Sequence, residues 1–265
     1  MAVPALPRLL LGDALTILPT LPAGIAQCVI ADPPYYQVLR KESWDTQWDS
    51  GNAYLDWTGR WVAEAMRVLK DDGLCFIFGQ PGKREHAFIH VMSRLCATYP
   101  FHDLLIWDRI VGYNERRDSF TPAYEMILVL RKTDRPIFYK DAVREPYSPE
   151  TIVTYRRDKR YKDPLARERH LQAGKFSTNI LRVPSLKGLS KEKCGHPSQK
   201  PLALIEKLIA CSTTHGDLVL DPFLGSGTTT LAASHLQRAS LGIEANPAYL
   251  EMAHHRLTHA GFPLK

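Results

Sequence analysis

The sequence has few cysteines and no long apolar run, and these absences exclude several classes of protein. Its five cysteines are scattered without a Cys-x-x-Cys pair, a pattern that argues against a disulfide framework or a zinc site, so no metal is expected. No apolar stretch approaches the roughly 18–20 residues that cross a bilayer. Arg8, Gly12 and Asp13 interrupt the apolar N-terminus, which we interpret as structure and not as a signal peptide. We therefore expect a cytoplasmic protein that does not contact membranes.

The positive charge of the chain is concentrated in one segment. The 265 residues carry a net charge of +6, but residues 131–200 hold 18 Lys and Arg against 8 Asp and Glu, which gives +10. The remainder holds 16 against 20, which gives −4. A basic segment of this kind is typical of a surface that contacts a polyanion, although a merely solvated basic face would explain the charge as well.

Short apolar segments alternate with helical patterns along most of the chain. Strands are predicted at 26–31, 74–78, 104–107, 126–131, 217–220 and 240–244, and helices at 54–70, 83–97, 200–213, 228–236 and 247–259. This alternation predicts an α/β fold with a mostly parallel sheet and helices on both faces. Residues 37–52 are interpreted as a mobile loop, in which Trp44 and Trp48 are either packing residues or a cover over a ligand.

A glycine-rich turn at 221–230 follows a predicted strand and opens a predicted helix. Gly225 and Gly227 would let a ligand approach the backbone, and the free helix amides would favour an anion. Glu244 ends the next strand, where an acidic residue commonly binds ribose hydroxyls. The turn lacks both the third glycine of a dinucleotide fingerprint and the Gly-Lys-Ser/Thr of a phosphate loop. S-adenosylmethionine, with a ribose and a carboxylate but no phosphate, fits better, and an NAD-type ligand stays the alternative.

The sequence Asp32-Pro33-Pro34-Tyr35 directly follows the first buried strand. The two prolines fix the backbone and remove two hydrogen-bond donors. The Asp32 carboxylate and the Pro33 carbonyl could then accept both hydrogens of an amino group on a nucleobase, and Tyr35 could stack on that base. Taken alone, the tetrapeptide is better explained as a proline-rich turn with a capping aspartate. Its combination with the glycine turn favours methyl transfer to an amino nitrogen.

With these motifs the sequence resembles the bacterial and phage amino-DNA methyltransferases of the beta arrangement, in which the catalytic motif precedes the cofactor motif. Further segments similar to that family lie at 11–14, 106–109, 124–125, 196–201 and 242–247. The resemblance implies a Rossmann-like S-adenosylmethionine-dependent methyltransferase fold in one domain, 1–265. Its catalytic region would be residues 1–132, its cofactor region residues 196–265, and its target-recognition insert the basic residues 133–195.

The resemblance also implies roles for individual residues. The catalytic set is Asp32, Pro33, Pro34 and Tyr35. The cofactor set is Asp13, Ala14, Asp32, His196, Ser198, Gln199, Lys200, Pro201, Asp221, Pro222, Phe223, Gly225, Ser226, Gly227, Thr228, Glu244, Ala245 and Asn246. The candidates for DNA contact are Arg156, Arg157, Lys159, Arg160 and Lys162.

The expected substrate is double-stranded DNA, with the target base flipped out of the duplex. Within the family, Asp at the first motif position goes mostly with adenine, so we predict N6-methylation of adenine, with N4-methylation of cytosine as the alternative. An RNA methyltransferase and an inactive DNA-binding partner subunit are further alternatives, although both motifs are intact here. A homodimer and a cognate restriction endonuclease are the partners that the resemblance suggests.

Overall fold

The computed structural model describes residues 6–81, 85–112, 115, 117–158, 160 and 163–262. Its centre is a sheet of eight described strands in the order β1-β8-β7-β2-β3-β5-β4-β6. β5 runs antiparallel to both of its neighbours, whereas the other neighbouring pairs among the described strands are parallel. The strands are Arg8–Leu11 (β1), Ala26–Ala31 (β2), Leu69–Gly79 (β3), Phe101–Asp108 (β4), Tyr124–Arg131 (β5), Ile180–Arg182 (β6), Leu218–Asp221 (β7) and Ala239–Glu244 (β8).

Helices cover both faces of this sheet, because its central strands are apolar on both sides. In β2, Val29 and Ala31 belong to one core cluster, and Cys28 and Ile30 belong to the other. The predicted α/β fold with a mostly parallel sheet is thereby confirmed. The helices are Ala14–Ile17 (α1), Gly51–Val68 (α2), Ala87–Thr98 (α3), Pro149–Arg157 (α4), Pro164–Ala173 (α5), Leu202–Ser212 (α6), Thr228–His235 (α7) and Pro247–His259 (α8).

The boundary between α2 and β3 differs from the prediction. The sequence predicts a helix over 54–70 and a strand from 74, but the helix ends at Val68 and residues 71–73 lie inside β3. The strand accommodates them because Gln27 of β2 donates a hydrogen bond to the Asp72 carboxylate at 3.1 Å. A side chain at Gly73 would place its Cβ only 2.7 Å from the Gln27 carbonyl oxygen, so glycine permits the close approach of the two strands.

Residues 37–52, predicted to be a mobile loop, fold against the domain instead. Trp48 is buried against Tyr54 and Trp57 of α2, at ring-centroid distances of 4.9 and 4.7 Å. Asp45 is only 1% exposed. The polar composition did not predict this packing, because only Asp45 and Trp48 are buried and the other residues of the segment are mostly exposed.

The basic segment 133–195 contains α4, α5 and the short strand β6, where the sequence showed no apolar period. α4 buries no side chain and α5 buries only Leu171, so neither has an apolar stripe to detect. β6 pairs in parallel with β4 and lies at the end of the sheet. The pairing of β6 with β4 therefore attaches this segment to the sheet, in addition to its covalent connections at residues 133 and 195.

In the described part of the chain, no helix combines the length and the apolar character needed to span a membrane. Within the same residues, no three or more His, Cys, Asp or Glu side chains cluster as metal ligands would.

Candidate active site

A cavity of about 500 Å³ opens at the carboxyl ends of β7, β8 and β2. Asp221 is the last residue of β7, and Asp32 directly follows β2. The two strands are parallel neighbours, with Val29 paired to Leu220, so both carboxylates reach the same edge of the sheet. Ligands of open α/β sheets bind at this edge, where neighbouring strands send their connections in opposite directions.

The glycine turn shapes one wall of this cavity. Gly225 and Gly227 both have positive φ angles, 50° and 73°, which side chains other than glycine adopt at a cost. The Gly225 amide donates to the Glu244 carboxylate at 2.7 Å, and the Asn246 amide donates to its other oxygen at 2.8 Å. A Cβ at Gly227 would lie 2.9 Å from that of Ala253 in α8. The turn and Glu244 are thus held in one fixed arrangement.

Most residues of the predicted cofactor set line this cavity, although they come from five separate segments. Of those eighteen residues, sixteen are in the lining. The other two are Pro201, which is buried at the start of α6, and Gly227, which caps α7. The lining also contains residues outside the predicted cofactor and catalytic sets: Gly12, Ile30, Ser43, Trp44, Gln47, Trp57, Ile205, Leu224, Thr229, Ile243 and Tyr249.

The cavity is more acidic than basic. Asp13, Asp32, Asp221 and Glu244 contribute four carboxyl groups to the lining, whereas Lys200 contributes one ammonium group. Burial, with smaller contributions from Asp32 and Glu244, raises the pKa of Asp221 to about 7 against two hydrogen bonds that lower it. Such a cavity favours a ligand with more positive than negative charge.

His196 adds no positive charge to this lining. Burial, followed by the neighbouring Lys200, lowers the pKa of its imidazole to about 4, so the ring is neutral at pH 7. The ring packs edge-on against Tyr249 at 4.4 Å and lies parallel to Trp44 at 6.5 Å. Trp44 therefore lies at the cavity wall, whereas Trp48 is a packing residue.

A second cavity of about 290 Å³ adjoins the first. The residues that line both are Asp32, Pro33, Trp44, Ser198, Gln199 and Lys200. The predicted catalytic residues therefore divide between the two spaces, because Pro34 lines only the first cavity and Tyr35 only the second. A group transferred from one cavity to the other would pass Asp32 and Pro33.

Hydrogen bonds and ion pairs link the Asp32 carboxylate to the second cavity. Lys200 Nζ lies 2.6 Å from Asp32 Oδ2, and the Tyr35 hydroxyl lies 2.6 Å from Asp32 Oδ1. The same hydroxyl lies 2.9 Å from Glu125 Oε2, and Lys200 lies 3.6 Å from that oxygen. Glu125 itself is 6% exposed and accepts a hydrogen bond from Gln80 at 3.0 Å.

The protonation of these groups follows from their burial and charge. Burial acts to lower the pKa of Lys200, but the attraction of Asp32 and Glu125 more than offsets this and raises it. Burial and then the same two carboxylates raise the pKa of Tyr35 well above its ordinary value. Lys200 is therefore a cation and Tyr35 a neutral phenol. From the sequence, Lys200 is predicted to contact the cofactor, and Glu125 is assigned only to a segment that completes the sheet. Their contacts with Asp32 and Tyr35 could not be predicted, because the fold brings these distant residues together.

Asp45 fixes the backbone that follows the catalytic corner. Its two carboxylate oxygens accept the amides of Tyr35 and Leu39, both at 2.6 Å. Between these amides, Tyr36 and Gln37 have positive φ angles of 61° and 58°. Non-glycine residues adopt this region only when the surroundings hold them there. No motif identified Asp45, because a lone Asp in a polar segment carries no signal of its own.

The predicted DNA-contacting residues lie on and after α4. Arg156 forms an ion pair with Glu168, Arg157 is exposed, and Arg160 lies 2.6 Å from Asp158. Lys159 and Lys162 fall outside the described residues. Exposed ion pairs are weak, so phosphate groups could replace these carboxylates.

Comparison with known proteins places this arrangement in context. A family described as DNA methylase matches residues 26–255. The type II methyltransferase M.HpaI of Haemophilus parainfluenzae is 31% identical over 252 residues, which are 94% of this chain and 74% of that protein. The DNA adenine methyltransferase YhdJ of Escherichia coli K12 is 31% identical over 250 residues, 93% of this chain and 81% of that protein.

Two solved structures have a similar fold. A Thermus thermophilus protein, described as a DNA modification methylase in complex with S-adenosyl-L-methionine, is 28% identical, with a TM-score of 0.63 over 98% of each chain. The PvuII DNA methyltransferase, described as cytosine-N4-specific, is 20% identical, with a TM-score of 0.70 over 96% of this chain and 87% of that one. At that identity the second likeness concerns the fold alone.

Proposed function

The chain belongs to the DNA methylase family of S-adenosylmethionine-dependent enzymes, and from that premise we propose that it methylates adenine N6 within a specific DNA sequence. The observation that carries the proposal is the meeting of two cavities at Asp32 and Pro33. One cavity would hold the methyl donor and the other the target base.

The larger cavity suits S-adenosylmethionine by charge and by shape. The ligand has two positive centres, a sulfonium and an ammonium, against one carboxylate, and the cavity is acidic. The Glu244 carboxylate, fixed by two backbone amides, would accept hydrogen bonds from ribose hydroxyls. Asp221 would lie near a positive centre, and the amides at the start of α7 near the ligand carboxylate. When bound, S-adenosylmethionine supplies an activated methyl group to the nitrogen.

The smaller cavity would receive the flipped base. The Asp32 carboxylate and the Pro33 carbonyl would each accept one hydrogen of the amino group, directing the nitrogen lone pair toward the first cavity. Trp44 and Tyr35 offer aromatic surface to the base, and such stacking is worth roughly 1–3 kcal/mol. Holding both reactants at one junction supplies rate through orientation.

Adenine is the favoured target because Asp occupies the first position of the catalytic motif. The E. coli relative, named as an adenine methyltransferase, supports this choice. The cytosine-N4-specific structural neighbour supplies the second candidate, since both amino groups could use the same two acceptors.

We further propose the beta arrangement of this family, with residues 1–132 as the catalytic region, residues 196–265 as the cofactor region and the insert 133–195 as the target-recognition region. The insert would contact DNA phosphates through the exposed arginines on and after α4. A homodimer and a cognate endonuclease stay predictions from family resemblance.

The direct test is to incubate duplex DNA with the protein and labelled S-adenosylmethionine, digest the product and identify the methylated nucleoside by mass. N6-methyladenine is expected. Finding only N4-methylcytosine would replace the adenine proposal, and transfer to RNA but to no duplex DNA would replace the DNA proposal.

A variant separates the role of the base grip from cofactor binding. Asp32→Ala should abolish transfer while calorimetry shows little change in cofactor affinity, because Asp32 is proposed to hold the base amino group. Asp56→Ala is a matched control, since Asp56 is an exposed carboxylate on α2 paired with Arg94. Loss of cofactor binding in Asp32→Ala alone would contradict the assigned role.

A further inference from the structure

The Tyr35 hydroxyl lies between two carboxyl groups, 2.6 Å from Asp32 Oδ1 and 2.9 Å from Glu125 Oε2. A phenol has one proton and donates one hydrogen bond. Two contacts of this length to acceptor oxygens are both favourable only when one carboxyl carries a proton and donates it to the phenol oxygen. The arrangement of Asp32, Tyr35 and Glu125 therefore has a place for one additional proton.

We propose that Asp32, Tyr35 and Glu125 form a relay that removes the proton released by the methylated amino nitrogen and holds it on Glu125. The inference rests on the proposed amino-methyl transfer, in which the nitrogen gains positive charge as its bond to the methyl carbon forms. That nitrogen is strongly acidic, because losing a proton returns its electron pair to the ring.

The steps balance without any further reactant. As the nitrogen–carbon bond forms and the sulfur–carbon bond breaks, one nitrogen–hydrogen bond breaks in the same step, with its proton passing to Asp32 Oδ1, so the transfer rate depends on this acceptor. The Tyr35 hydroxyl, turned toward Glu125, gives its proton to Oε2 and takes the proton from Asp32. The positive charge of the nitrogen is thereby replaced by a neutral Glu125 carboxyl, and Tyr35 is regenerated.

The surroundings explain why the proton would move on from Asp32. Lys200 Nζ lies 2.6 Å from Asp32 Oδ2 but 3.6 Å from Glu125 Oε2, and the Asp32 side chain is 22% exposed against 7% for Glu125, so Asp32 has both the closer ammonium contact and the greater access to solvent. Lys200 cannot take the proton itself, because its raised pKa keeps it charged.

Two other groups face Glu125 from neighbouring strand ends. Gln80, after β3, donates to Glu125 Oε1 at 3.0 Å, and Arg109, after β4, lies 3.6 Å from the same oxygen. Both contacts are to the oxygen that does not face Tyr35. Glu125 Oε2 is thus directed at the phenol, which lies between Glu125 and Asp32.

Glu125→Gln tests the relay, because it keeps the size and a hydrogen-bonding oxygen but cannot accept the proton. Tyr35→Phe interrupts the same path and keeps an aromatic ring. The rate to measure is single-turnover methyl transfer to duplex DNA with saturating enzyme and cofactor, since binding and product release do not limit it. We expect each variant to slow transfer at least about tenfold, a smaller loss than the roughly 10²–10⁴-fold that a general acid or base typically contributes, with unchanged cofactor affinity.

Two further variants distinguish a relay from a structural role. Glu125→Asp keeps a carboxyl group and should recover part of the rate. The double variant Glu125→Gln with Tyr35→Phe should be no slower than the slower single variant, because both changes interrupt one path. Asp217→Asn is the matched control: it removes an ion-paired carboxylate at the other edge of the sheet, 3.2 Å from Lys70, and should keep the rate.

Several results would overturn the relay while leaving the proposed function intact. A Glu125→Gln rate within about twofold of the unmodified protein would do so, as would losses that multiply in the double variant. On the unmodified protein, transfer should be about twofold slower in D2O, because hydroxyl protons move; equal rates in H2O and D2O would also refute it. Failure of the unmodified protein to methylate DNA would instead contradict the proposed function.

Discussion

Asp221→Asn is expected to remove most of the pH dependence of S-adenosylmethionine binding below neutral pH. Asp221 is 5% exposed at the end of β7, and burial raises its pKa to about 7, with Asp32 and Glu244 adding to the effect. A ligand that brings net positive charge into the cavity favours the ionised form. Binding below about pH 7 should therefore release a proton from Asp221.

The magnitude follows from that pKa. The ionised fraction of a group with a pKa of 7 rises from about 0.03 at pH 5.5 to about 0.5 at pH 7. If the ionised form alone binds well, affinity should rise about fifteenfold across this interval. His196 does not titrate there, because its pKa is lowered to about 4. The amino group of the ligand titrates nearer pH 8, and any contribution from it is common to the unmodified protein and the variant.

The stability of the unliganded protein should change in the opposite direction. Because the folded-state pKa of Asp221 is raised, its protonated form is the favourable one, and stability is lost as the pH rises toward and through about 7. The full effect is on the order of 4 kcal/mol for a shift of this size. Asp221→Asn should therefore flatten the fall in thermal stability between about pH 4 and pH 7.

The assay is titration calorimetry with S-adenosylmethionine at several pH values, repeated in buffers of different ionisation enthalpy to count released protons. The unmodified protein should release a fraction of a proton that decreases as the pH rises above about 7, and Asp221→Asn should release less. Glu244 also has a pKa raised by burial, so Glu244→Gln is measured in parallel. Equal pH slopes for the unmodified protein and Asp221→Asn would refute the reasoning.

Three further predictions concern the cofactor site, the aromatic residues and the basic insert. Glu244→Gln should weaken cofactor binding about tenfold or more by calorimetry, because its charged carboxylate holds two backbone amides and each such bond is worth about 1.5–3 kcal/mol; unchanged affinity would contradict this. Trp48→Ala should lower the free energy of unfolding by about 3–5 kcal/mol, measured with denaturant. Trp44→Ala should leave that free energy nearly unchanged and raise the KM for DNA. The reverse pattern would show that Trp44 is the packing residue and Trp48 the one that contacts DNA. Arg157→Ala should reduce the slope of log affinity for DNA against log salt by about 1, with the rate at saturating DNA unchanged, and an unchanged slope would exclude a phosphate contact.

The sequence predicted the parts of the site that are local in the chain. The turn at 221–230 and the corner at 32–35 each lie within a few residues of a buried strand, so their geometry follows from glycine and proline chemistry. Glu244 could be placed because a strand end has a defined position in such a sheet. Motif segments at 11–14 and 196–201 could be assigned only through family resemblance.

Glu125 and Asp45 could not be predicted because their environment is created by distant residues. Glu125 reaches the cavity because β5 runs antiparallel to β3 and β4, a register in which it pairs with Trp107. Asp45 is buried because the segment after Tyr35 folds back over it, with strained backbone angles that no composition reveals. The helices α4 and α5 could not be predicted for a different reason: exposed helices lack the apolar residues at helical spacing by which a helix is predicted.

The position of β2 beside β7 explains why motifs so distant in sequence form one site. In a parallel pair the carboxyl ends lie at the same edge, and the pairing of Cys28 with Val219 and Val29 with Leu220 places Asp32 next to Asp221. The acidic residue proposed to hold the base and the acidic residue proposed to attract the donor are therefore fixed by adjacent strands of one buried sheet. Their separation depends on sheet geometry and not on loops, as positioning catalysis requires.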